Sequence, residues 1–120
     1  IDIASYPIET ILSEKIECIL SRSVANTRMK DYYDCYILSR QQEKTINYET
    51  LLLALKNTVK ARKSEPVLEN VGKNIELIKN DDSVKHFWLA YSKQFAYASG
   101  ISFEEIISEF EVLLKKIGVF

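Results

Sequence analysis

The sequence predicts an all-α fold, a bundle of five to six helices. Only 3 glycines and 2 prolines occur in 120 residues, too few for a turn-rich β architecture. Apolar residues recur at helical spacing through most of the chain. Recognisable start and stop signals bracket several of these stretches.

Pro7 opens the first helix, where a missing N–H is no loss. Ile8, Ile11, Leu12, Ile16, Ile19 and Leu20 make one apolar stripe that ends near Arg22. Ser23 to Asn26 reads as a short turn. A second helix follows from Thr27 to Gln41, with Asn26 or Thr27 as N-cap. It is apolar on two sides, so neighbours should pack on both. Its Tyr32, Tyr33 and Tyr36 sit at packing spacing and read as core rather than as a stacking platform. Asn47 caps a third helix to Arg62, with Ile46 and Leu51 as a hydrophobic staple. A polar loop leads to Pro66. The fourth helix is expected over Val67–Lys79, a break at Asp81 and Asp82, and the fifth over Ser83–Ala98. Ser102 and Glu105 form a capping box for the sixth, flanked by Ile101 and Ile106, and Gly118 lies just past its end. Ile1 to Ser5 alternates like the tail of a strand. One helical domain over 1–120 is expected.

Composition narrows the function classes. With 16 basic and 17 acidic residues the net charge is −1, so no global basic field attracts nucleic acid. Cys18 and Cys35 form neither a disulfide framework nor a zinc spacing, and reduced thiols in a cytoplasmic protein are expected. No apolar run approaches the roughly 20 residues of a membrane span. There is no glycine-rich phosphate loop and no nucleophile–histidine constellation. His86 has no catalytic partner at a recognisable spacing and reads as a surface or structural residue. The chain has no initiator Met and carries Asp2 where a leader would be basic, so a fragment without signal peptide is expected.

Lys15 stands out. At about 100° per residue it falls inside the apolar stripe, between Ile11 and Ile19. An ammonium there either snorkels to water or meets an anion. The short turn makes the first two helices an antiparallel hairpin. With its centre near Val24 and Ala25, Asp34 lies level with Lys15, and Asp31 about 4.5 Å nearer the turn. A structural ion pair and a functional site are both compatible with that placement. Arg22, Arg28 and Lys30 cluster at the turn, as a solvated patch or as a grip for nucleotide or RNA phosphates.

The run Tyr6–Arg22 resembles the segment YPxETxxAEKxEAxxxR of the AbiEii/AbiGii family of toxin nucleotidyltransferases. Asn26–Asp34 resembles the N(S/T)RxKDxYD segment that follows it. Ser13 stands where the family commonly has alanine. The resemblance implies the helical C-terminal part of a polymerase-β-like nucleotidyltransferase, the toxin of a toxin–antitoxin or phage-defence system. It implies transfer of a nucleoside monophosphate from an NTP to an acceptor such as a tRNA 3′ end. Lys15 matches the family's third-motif lysine and would contact the nucleotide phosphates. Asp31 matches the fourth-motif aspartate, and Asp34 the second acid of that segment. Arg22, Arg28 and Lys30 would rim the site. The Gly-Ser and acidic motifs that bind metal and triphosphate are not in these 120 residues. Mg²⁺ and NTP are therefore expected in a full-length protein with its own N-terminal domain, and neither a metal site nor turnover in this piece alone. An antitoxin from the same operon is the implied protein partner. The alternative is a helical interaction module that keeps these motifs only as hairpin structure.

Overall fold

A computed structural model of the chain describes residues 7–120, so the alternating segment at Ile1–Ser5 lies outside the described residues. Six α-helices account for most of the rest: α1 (Ile8–Arg22), α2 (Met29–Gln41), α3 (Tyr48–Ala61), α4 (Val71–Lys79), α5 (Asp82–Gln94) and α6 (Phe103–Ile117). Short 3₁₀ turns at Ser23–Ala25, Glu65–Leu68 and Ala96–Ala98 join them, and no strand occurs among the described residues. The all-α expectation holds. None of these helices is long and apolar enough to cross a membrane.

The buried apolar side chains form one contiguous cluster, drawn from all six helices. Leu12, Ile16, Ile19 and Leu20 of α1 lie at its centre with Leu51 and Leu55 of α3. α1 packs most extensively against α3 and then α2. Ser13, fully buried, lets α1 and α3 approach closely, and its hydroxyl meets Thr58 Oγ1 at 3.1 Å. Glu9 accepts from the Asn47 backbone N–H at 2.9 Å, and Glu17 meets Arg62 at 2.6 Å. These contacts rise together in number along both helices, so α1 and α3 run in the same direction, and α2 packs against α1 and α6.

The caps explain where the helices begin. Asn47 Oδ1 accepts from Thr50 N–H, as the sequence predicts, with Ile46 and Leu51 both buried beside it. Ser102 and Glu105 make the complete capping box, and Gly118 ends α6 at φ 94°, a left-handed conformation that favours glycine.

Four boundaries differ from the sequence reading. Arg28, not Asn26 or Thr27, sits at the N-cap of α2 and makes no side-chain cap bond. The Val67–Lys79 helix is split: Glu65–Leu68 is a 3₁₀ turn around Pro66, and α4 starts only at Val71. Asp81 does not merely break the chain; its carboxylate accepts from Val84 N–H and caps α5. That helix ends at Gln94 because Phe95 is extended, with ψ 118°, which carries Tyr97 out of the helix.

Ser102→Ala should lower unfolding stability by about 1 kcal/mol, the usual loss for such a cap. Urea denaturation followed by circular dichroism checks this, and an unchanged midpoint would show that the box carries no weight.

Candidate functional site

The site is built on the α1–α2 hairpin. Leu12, Ile16 and Ile19 turn one side of α1 into the core, and Lys15 sits at the edge of that stripe with its side chain 23 % exposed. Across the hairpin, Asp31 occupies the first turn of α2, where the helix dipole favours a carboxylate. Asp34 is one turn further on.

The turn that sets this register is held from outside. Ser23 adopts φ 49°, which L residues rarely take. Its hydroxyl bonds Asn74 of α4, and Asn74 Nδ2 in turn donates to the Leu20 carbonyl at 2.6 Å. One otherwise orphaned carbonyl at the end of α1 is thereby satisfied. Asn26 is fully buried and its Oδ1 accepts from Arg28 N–H at 3.0 Å, shaping the entry into α2. On the other side of α1, the buried Glu17 carboxylate takes bonds from Arg62 and from the Ser64 hydroxyl at 2.8 Å, which locks α1 to the end of α3.

Within that frame Lys15 Nζ lies 3.3 Å from Asp31 Oδ1 and 3.2 Å from Asp34 Oδ2. The ammonium does not snorkel away; it bridges both acids. Burial works against its charge, but the contact with Asp34 and the negative charges of Asp34 and Asp31 outweigh that, and its pKa is raised above the ordinary lysine value. Lys30 Nζ reaches Asp34 from the solvent side at 2.9 Å. Two ammoniums thus face two carboxylates.

The four groups are not equivalent. Asp31 is 1 % exposed, and among the described residues its Oδ2 has no hydrogen-bond partner. Such a buried, uncommitted oxygen is uncommon and marks a polar group with capacity left over. Asp34 and Lys30 stand nearer the surface. Arg22 and Arg28 are exposed, and among the described residues neither is in an ion pair. Arg22 follows Lys15 by seven residues, so it lies on the same side of α1 about 10 Å nearer the turn. The sequence-predicted residues therefore divide: Lys15, Asp31, Asp34 and Lys30 touch one another, whereas Arg22 and Arg28 contribute only free positive charge at the rim.

The donor set does not suit the Mg²⁺ that the resemblance implies. Among the described residues no three His, Cys, Asp or Glu side chains are placed to hold a metal ion. Both carboxylates of the hairpin already face ammonium groups. Cys18 and Cys35 are free thiols; Cys35 is completely buried, and burial, followed by the charges of Asp31 and Asp34, pushes its pKa up. His86 is exposed, as expected.

The model of the AbiEii nucleotidyl transferase toxin family, of type IV toxin–antitoxin systems, matches residues 1–109. The chain belongs to that family. No curated protein and no solved structure matches it. The AbiEii match covers the whole hairpin, so the ammonium and both acids lie within the family segment. Membership makes the chain part of a nucleotidyltransferase toxin whose system includes an antitoxin. Sequence reasoning missed Glu17, Arg62 and Asn74, which position the hairpin without touching Lys15. Glu17 falls outside the apolar stripe of α1, so helical spacing gave no signal of its burial.

Lys15→Met should destabilise the chain by about 1–3 kcal/mol, because Asp31 is left buried without its cation while Asp34 keeps Lys30. Adding Asp31→Leu should recover much of the loss, and a double variant no more stable than the single one would remove the argument. The contribution of Lys15 has a definite pH sense. Its folded pKa is raised, so the stabilisation is fully present below the unfolded value of ~10.4 and fades as pH rises through the folded value. Urea melts of wild type and Lys15→Met, well separated near neutral pH, should converge as pH rises into that alkaline range.

Proposed function

We propose that the α1–α2 hairpin supplies the phosphate-binding cation of a nucleotidyl transfer site, with Lys15 as the group that meets the triphosphate. The observation that supports this reading is the Lys15 ammonium held between two acids at 3.2 and 3.3 Å, one of them buried with an oxygen uncommitted. A lysine is a compact point charge well suited to phosphate oxygens. Its raised pKa keeps it cationic at any physiological pH.

The reaction is an in-line displacement. An acceptor hydroxyl attacks the α-phosphorus of an NTP, its proton leaves to a base, a phosphodiester forms and pyrophosphate departs. Negative charge builds on the phosphates as this happens, and a positioned ammonium stabilises it. Asp31, closed off from solvent, acts as a positioning residue that fixes Lys15. Asp34 is more accessible, and it is the acid of the pair able to meet a ligand or take the hydroxyl proton. Arg22, Arg28 and Lys30 offer charge for the remaining phosphates or for an RNA acceptor such as a tRNA 3′ end.

Mg²⁺ and the rest of the nucleotide site are assigned to an N-terminal nucleotidyltransferase domain, in line with the two motifs that these residues do not contain. The whole would act in the cytoplasm, as the toxin of a phage-defence system restrained by its antitoxin.

In the full-length toxin, Lys15→Ala and Asp31→Ala should each abolish nucleotide transfer and toxicity while the helical circular dichroism persists. Incorporation of labelled NTP into RNA, together with growth on induction, measures both; wild-type transfer by the two variants would falsify the assigned roles. The isolated 120 residues should turn over no nucleotide and bind triphosphate at most weakly, as read by calorimetry with magnesium and each NTP.

A further inference from the structure

Tyr33 immediately precedes Asp34 on α2, and it is not a core residue. Its ring is half-buried and belongs to a cluster formed by the end of α5 and the turn after it. The Tyr33 and Tyr97 centroids are 4.7 Å apart, and Phe95 lies 4.7 Å from Tyr91 and 5.3 Å from Tyr97. Trp88, 1 % exposed, stacks under Tyr91 at 5.4 Å and is anchored by its Nε1–H donating to the Ile101 carbonyl at 2.9 Å. The cluster thus grades from a buried indole outward to Tyr97, which is 51 % exposed.

Core packing does not account for its outer half. Tyr97 leaves the helix because Phe95 is extended, and a hydroxyl–hydroxyl hydrogen bond of 2.6 Å to Tyr91 then holds it in place. A large ring fixed in orientation with half its surface in water is what a stacking ligand needs, since little freedom is lost on binding. The cluster also adjoins the charged site. Tyr33 is next to Asp34 in sequence and one helical turn after Lys30, which pairs with Asp34. The Asp34 charge reaches the Tyr91 phenol, whose pKa is raised by burial first, then by the Tyr97 bond, with Asp34 adding to it. With Lys15 and Lys30 balancing Asp31 and Asp34, the neighbourhood does not repel an anionic ligand.

We propose that Tyr97, braced by Tyr33 and Tyr91, is a platform on which a nucleobase stacks beside the Lys15 phosphate site. This rests on the phosphate-binding reading of Lys15 given above. Stacking tolerates any base and favours the larger face of a purine. The base belongs either to the NTP or to the terminal nucleotide of an RNA acceptor, and the chemistry is the same for both.

Calorimetric titration of the full-length toxin tests this with three probes: tripolyphosphate, ATP and a short single-stranded RNA. Tyr97→Ala should weaken ATP or RNA binding by roughly 5- to 100-fold and leave tripolyphosphate binding unchanged. Tyr97→Trp, which keeps an aromatic face, should retain affinity. A loss confined to ATP assigns the base to the triphosphate, and a loss confined to RNA assigns it to the acceptor; either supports the platform. Unchanged binding of both by Tyr97→Ala, or an equal loss in Tyr97→Trp, overturns it. The Lys15 reading fails separately, if wild type and Lys15→Ala bind tripolyphosphate alike.

Discussion

One ammonium group organises the hairpin. Lys15 sits at the margin of a fully buried stripe, and Asp31 opposite it is almost entirely withdrawn from water. The buried Asp31 charge is costly there without the ammonium beside it. That dependence constrains the register of α1 against α2, since a slip of one residue would turn Lys15 or Asp31 toward apolar neighbours. The surrounding structure reads as a set of braces for that register. Asn74 fixes the turn from one side, Glu17 with Arg62 and Ser64 holds α1 from the other, and Ser13 brings α3 close behind.

Asp31 is enclosed and Asp34 is not, so the proposed function gives the two acids of one short motif different parts: the enclosed one fixes Lys15, and the outer one faces solvent. Lys30 shares Asp34 with Lys15, so the outer acid is held between two cations.

Much of this was legible in the chain itself. α1 announces itself through an apolar stripe after a proline, α3 and α6 through a stripe plus a local cap, and both Asn47 and Ser102 cap as read because capping depends on residues only three positions apart. The pairing of Lys15 with Asp31 and Asp34 followed from one short turn and the helical rise. What stayed hidden depends on distant partners or on single backbone angles. Glu17 finds Arg62 across 45 residues, and Asn74 finds Leu20 across 54. No periodicity encodes such meetings. Phe95 leaves helical geometry without a glycine or proline to signal it, so Tyr97 read as part of α5. Tyr33 read as core because spacing alone does not tell which side of a doubly packed helix stays partly open.

The thiol behind the hairpin has its own consequence. Cys35 follows Asp34 directly, yet it is sealed in the core and its pKa is driven upward. Oxidants and electrophiles attack thiolates, and almost none is present at such a position. A cysteine one residue from the charged pair is thereby kept chemically silent by its burial.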